Sequence, residues 1–177
     1  MQPTKALVSL RYVTRIAAVI ILVMVAVGFF LPSDYRIERS VVVSEGNQTE
    51  LKSRLFNAER WSDWMLIQSG RLQLSSVPVS DLEGAKFQLV YDEADKQGEI
   101  LVGTVTDDSV AFLVTPSASV KPVPNVIYLR NRPQGIEVSW VIEGVLDAGF
   151  LSPYLALLAN SIAGSNLEAS LARLTDF

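Results

Sequence analysis

The run Ile16 to Leu31 carries no charged and no hydrogen-bonding side chain, and it constrains the fold of this chain more than any other feature. As a helix its sixteen residues extend ~24 Å, somewhat short of a hydrocarbon core of ~30 Å. Starting at Val13 gives nineteen residues, with Arg15 able to reach back toward the headgroups. A core helix of a globular domain would carry a polar stripe, and this run has none.

The chain therefore divides into a short basic tail (1–12), a transmembrane anchor (13–31), a linker (32–34) and one domain (35–177). A cleaved signal peptide is the competing reading, because Ala26-Val27-Gly28 offers the small residues a peptidase wants. Against it, Phe29, Phe30 and Leu31 carry the apolar run past that point. Lys5, Arg11 and Arg15 all precede the run, whereas Arg36 and Arg39 beyond it are diluted by Asp34 and Glu38. The expected topology is single-pass, with the N-terminus cytoplasmic and the domain periplasmic or otherwise extracytoplasmic. A linker of ~10 Å keeps that domain against the bilayer surface.

Composition removes several chemistries. The chain has no Cys and no His, so disulfides, thiolate nucleophiles, most zinc sites and His-based acid–base catalysis are excluded. No metal and no cofactor is implied. Of 15 basic and 19 acidic residues, three basic ones lie before residue 32, leaving 12 against 19 in the domain, a balance of −7. That charge repels phosphate backbones, so nucleic acid is not an expected partner.

Within the domain, Tyr35–Val43 reads as a strand. Asn47, with Glu50 three residues on, has capping-box spacing and predicts a helix. Leu51, Leu55 and Ala58 lie on one face of that helix, which runs into Trp61-Ser62-Asp63-Trp64. Strands are predicted at Arg71–Val77, Ala85–Tyr91, Glu99–Thr106, Val110–Thr115, Asn125–Asn131 and Gly135–Val145. The turns between them are too short for helical crossovers, so the sheet is antiparallel. A last helix starts near Ser152 with Pro153 in its first turn. Its apolar stripe runs through Leu151, Leu155, Leu158 and Ile162, then shifts after Gly164 to Leu167, Leu171 and Leu174, which predicts a kink or a change of packing face. The class is α+β, with a curved antiparallel sheet wrapped around a long C-terminal helix.

Four stretches in this order resemble the START-like (SRPBCC) superfamily of polyketide cyclase/dehydrase and lipid-transport proteins, in its membrane-anchored subgroup. They are Tyr35–Val43 as the first strand, Trp61-Ser62-Asp63-Trp64 as the tryptophan pair after the first helix, Val138–Gly144 as the last strand, and Gly164–Leu174 as the end of the last helix. One departure is Ser44-Glu45-Gly46-Asn47-Gln48, where the family usually has a proline-containing turn.

The resemblance implies a helix-grip fold with an apolar cavity between sheet and helix. Alternation then suggests its lining: Phe87, Leu89, Tyr91, Phe112, Val114, Ile127 or Tyr128, Val138, Trp140 and Ile142, roofed by Leu155, Leu158 and Ile162. All of these equally suit a filled core. Trp61 and Trp64 would form a gate at the cavity mouth or a foot in the headgroup layer, or else a plug locking the first helix to the sheet. The carboxylates Asp92, Glu93, Glu99, Glu137 and Glu143 are candidates for acid–base work, but alternation points Glu137 and Glu143 outward and a turn holds Asp92 and Glu93. The expected function is binding or shuttling a hydrophobic ligand, of lipid or isoprenoid class, at the membrane surface. The alternative is a non-catalytic interaction protein with a filled core, docked on a membrane protein partner. A cyclase- or dehydrase-like enzyme stands third.

Overall fold

The computed structural model describes residues 5–76, 82–93, 96–146 and 149–177. The chain forms two compact units: the N-terminal segment through Tyr35 with Val145–Leu158, and Arg36–Gly144 with Ala159–Phe177.

The first unit is built on α1 (Lys5–Phe30). Within it, Tyr12–Phe30 is long and apolar enough to cross a membrane, with a mean hydropathy of 2.5. The C-terminal end of α1 packs on a 3-10 turn, Gly149–Leu151, that leads into α4 (Ser152–Leu174). Tyr154 Oη donates to the Met24 carbonyl at 2.8 Å, and the Leu146 amide donates to the Ser33 carbonyl at 3.0 Å.

The second unit is a seven-stranded sheet in the order β1-β7-β6-β5-β4-β3-β2. The strands are β1 (Asp34–Val43), β2 (Gly70–Ser76), β3 (Lys86–Tyr91), β4 (Gln97–Val105), β5 (Ser109–Thr115), β6 (Val123–Arg132) and β7 (Gly135–Val145). From β2 to β7 the sheet is an antiparallel meander. β1 returns beside β7, where Arg36 meets Glu143 and Ser139 meets Glu38, the opposed numbering of an antiparallel pair. All six meander strands and β1 lie within a few residues of their sequence-based bounds; Val77 falls outside the described residues.

β1 and β2 occupy opposite edges, so the segment joining them must cross the sheet. That segment departs from expectation. In place of one helix, a 3-10 turn (Glu45–Asn47) leads into α2 (Gln48–Leu55), and a second 3-10 turn (Ala58–Arg60) leads into the single-turn α3 (Trp61–Trp64). The break falls at Phe56-Asn57, where Asn57 leaves helical geometry and its side chain accepts from the Glu59 amide at 2.9 Å. An Asn side chain competes for backbone donors in this way and restarts the helix as its own cap. Asn47 stands at the start of α2 without a side-chain capping bond. Glu50 instead accepts from Arg54 and pairs with Arg60.

The C-terminal part of α4 closes this unit, burying Leu167, Ser170, Leu171 and Leu174. Leu66 fixes its register at both backbone groups, its amide donating to Ser170 Oγ at 3.0 Å and its carbonyl accepting from Asn166 Nδ2 at 3.1 Å. The stripe shift after Gly164 is a change of burial along one continuous helix: Leu155 and Leu158 are exposed, and Leu167, Leu171 and Leu174 are not.

Candidate functional site: the aromatic face of the sheet

Strand register defines the inner face. Val102, Phe112, Asn125 and Ile142 stand in one row across β4 to β7, and Val110, Ile127 and Trp140 in the next. These residues are all buried, as are Phe87, Leu89 and Val138. Tyr91 and Val114 are half-buried, toward one end of their strands.

Tyr128 belongs to the other face. It pairs with Ser109 and Ser139, whose neighbours Val110 and Val138 are core residues, and its ring lies 5.5 Å from the Arg130 guanidinium. Of the two residues considered on β6, Ile127 is the inward one, because a one-residue step along a strand reverses the face. The side chain of Ile162 lies outside the described set.

Trp61 and Trp64 are completely buried, so neither indole offers a face to a headgroup layer. Trp61 stacks on Phe87 at 5.1 Å between centroids and meets Phe112 edge-on at 5.2 Å. Trp64 meets Trp61 at 5.4 Å and Trp140 at 6.1 Å, and Phe112 meets Trp140 at 5.7 Å. Trp61, Trp64, Trp140 and Phe112 thus form a closed circuit of T-shaped contacts, with Phe87 stacked on Trp61, each within the favourable range for aromatic pairs. Buried indole N–H groups need acceptors, and these have them: Trp61 donates to the Leu55 carbonyl (2.8 Å) and Trp64 to the Arg54 carbonyl (3.2 Å). Trp140 donates to Asn125 Oδ1 (3.0 Å), while Asn125 Nδ2 donates to the Val123 carbonyl (3.0 Å). The α2–α3 break produces this arrangement, since it lets both indoles reach back to the end of α2. Asn125, the polar group on this face, is engaged at both ends of its amide. Sequence reasoning did not single it out; an Asn at an inward position of an otherwise apolar strand was the available signal.

The five carboxylates lie away from this cluster. Asp92, Glu93, Glu99 and Glu143 are exposed, and Glu137 is held at the surface by Arg132 through a bond of 2.7 Å. Arg36 and Ser139 hydrogen bonds hold the Glu38 carboxyl below the usual range, and Arg60 and Arg54 do the same for Glu50.

Tyr91 and Glu93 do come together, in an open cleft of about 350 Å³ lined also by Gln68, Ser69, Lys96, Pro116 and Ser117. Burial raises the Tyr91 phenol, and hydrogen bonding to Glu93 raises Lys96, so the cleft presents a neutral hydroxyl beside an ion pair. Among the described residues no group of three or more carboxylates is placed to hold a metal ion.

No protein-family model and no curated protein matches the sequence. Solved structures match the fold. The chain is similar to protein CV1439 of Chromobacterium violaceum, at 14% identity and a TM-score of 0.54, over 81% of this chain and 96% of that one. It is also similar to the di-domain ARO/CYC StfQ of the steffimycin biosynthetic pathway, at 11% identity and a TM-score of 0.62, over 81% of this chain and 50% of that one. DynU16, a protein of the dynemicin biosynthetic locus, matches at 13% identity and a TM-score of 0.55, over 79% of this chain and 45% of that one. With the antiparallel sheet and its long last helix, these similarities give the chain a START-like, helix-grip fold.

Proposed function

We propose that this chain is a membrane-tethered interaction domain: a helix-grip fold held at the bilayer surface by α1, with its core filled, docking a membrane protein partner through its exterior. The observation that carries this reading is the ring cluster of Trp61, Trp64, Phe87, Phe112 and Trp140. Three side chains expected along a ligand cavity, Phe87, Phe112 and Trp140, are in ring contact with the tryptophan pair, and the Trp140 indole N–H has its acceptor within the fold. The uncleaved anchor is supported by the contacts its last turns make with Phe150 and Tyr154, which processing after Gly28 would strip away.

The second reading is a domain that binds or shuttles a lipid or isoprenoid inside the fold. It is favoured by the similarity to StfQ and DynU16, which come from biosynthetic pathways for small molecules. One experiment separates the two. The full chain is photo-crosslinked in its native membranes, then purified in mild detergent and analysed by native mass spectrometry. The interaction reading expects one stoichiometric crosslinked protein and a bare protein mass. A stoichiometric apolar adduct, retained through delipidating washes and without a protein partner, would establish the ligand reading instead.

A further inference from the structure

From Ala148 to Leu167 the chain has no charged residue, a second uncharged stretch far from the anchor in sequence. Its first part folds against the anchor itself. A Cβ placed on Gly28 would lie 2.3 Å from the Phe150 carbonyl oxygen, so the 3-10 turn touches the backbone of α1 where only glycine leaves room. One turn further into the span, Tyr154 reaches the Met24 carbonyl. Met24 lies six residues before Phe30, the end of the apolar span, which is ~9 Å along the helix axis. Whatever layer surrounds the last turns of α1 therefore also surrounds this turn and the start of α4.

The side chains there suit a hydrocarbon layer. Phe150, Leu151, Leu155 and Leu158 are 39% to 57% exposed, a continuous apolar surface at the start of an otherwise ordinary helix. The polar residues between Gly149 and Ser161, namely Ser152, Tyr154, Asn160 and Ser161, are neutral. Tyr154, whose hydroxyl would be costly in an apolar layer, has its acceptor on α1.

We infer that residues 149–158 form a second membrane-embedded element, seated beside the C-terminal end of α1 in the headgroup and upper acyl layer, with lipid covering Phe150, Leu151, Leu155 and Leu158. This rests on α1 spanning the bilayer. The chain is then attached to the membrane both before β1 and after β7.

The absence of native cysteine makes the test direct. Leu151→Cys, Leu155→Cys and Leu158→Cys are each spin-labelled in the full chain, in vesicles of phosphatidylcholine and phosphatidylglycerol. Ile21→Cys reports the mid-span and Leu113→Cys an exposed site on β5. Collision with oxygen is compared with collision with a water-soluble nickel chelate. The expected result is an oxygen-to-nickel ratio at the three α4 sites several-fold above that at Leu113 and below that at Ile21. If Ile21 is in lipid but the α4 labels behave like Leu113, the inference fails and the anchor stands. Labels shielded from both reagents mean a protein covers this surface, which also overturns it. A water-exposed Ile21 label removes the spanning reading and the inference with it.

Discussion

At the residue scale, the packing of Trp61 against three aromatic neighbours makes it the most consequential single side chain. It is fully buried and touches Trp64, Phe87 and Phe112, so Trp61→Ala opens a large void. The expected loss is about 3–5 kcal/mol, read from the urea midpoint. Trp140→Phe keeps the ring contacts but leaves Asn125 Oδ1 without its donor, and should cost about 1–3 kcal/mol by the same measurement. The carboxylates give a pH signature. Arg36 and Ser139 lower the folded pKa of Glu38 relative to its ordinary value of 4.5. The unfolded chain therefore binds the proton first, and the stabilisation is complete above that value and lost as pH falls through the folded pKa. Urea midpoints should be flat above about pH 6 and decline below about pH 4.5, and Glu38→Gln should reduce that decline. Its side chain is well exposed, so solvent screening keeps the effect small.

At the element scale, the C-terminus of α4 is finished by a residue from α2. Arg54 Nη1 donates to the carbonyls of Arg173 (3.1 Å) and Asp176 (2.7 Å), and its guanidinium lies 5.1 Å from the Phe177 ring. Glu50 steadies it through a bond of 3.1 Å to Nε. The last carbonyls of a helix lack intrahelical donors and carry partial negative charge, so a planar cation is well matched to them. Arg54→Ala should fray the final turn, raising amide exchange from Leu171 to Phe177 and costing about 1–2 kcal/mol. Arg54→Lys should restore only part of that protection, because an ammonium cannot reproduce the fork. Nothing in the local sequence of α2 announces this role; Arg54 reads there as one more solvent-facing cation. The α2–α3 break was equally hidden, since Leu51, Leu55 and Ala58 keep helical spacing across Phe56-Asn57 and only the competing bond of the Asn57 side chain interrupts it.

At the scale of the whole molecule, the three tryptophans of the chain are all in the core, at 0% to 5% exposure. Their emission should therefore be blue-shifted, resistant to iodide, and unchanged when the vesicles carry brominated acyl chains. Quenching by the bromines would place an indole in the bilayer and contradict the packed core. In the same preparation, alkaline carbonate should leave the chain in the membrane pellet, as expected for a spanning helix with the composition of α1.

What the sequence determined by itself is what local pattern encodes. An uncharged helical run, alternating strands separated by turn residues, and a last helix opened by Pro153 are written in neighbouring residues, and the element order that follows from them is enough to indicate an antiparallel sheet wrapped around a long last helix. What only the tertiary structure decided is which side chains meet. Tyr128 and Ile127 differ by one position and lie on opposite faces, because register with Ser109 and Ser139 sets the parity. Leu155 and Leu158 share a helix and a spacing with Leu167 and Leu171, yet only the latter are buried. The pattern specifies that a face is apolar; what covers it is decided by elements distant in the chain, as where the Leu66 backbone meets Asn166 and Ser170 and the helix beyond them is buried.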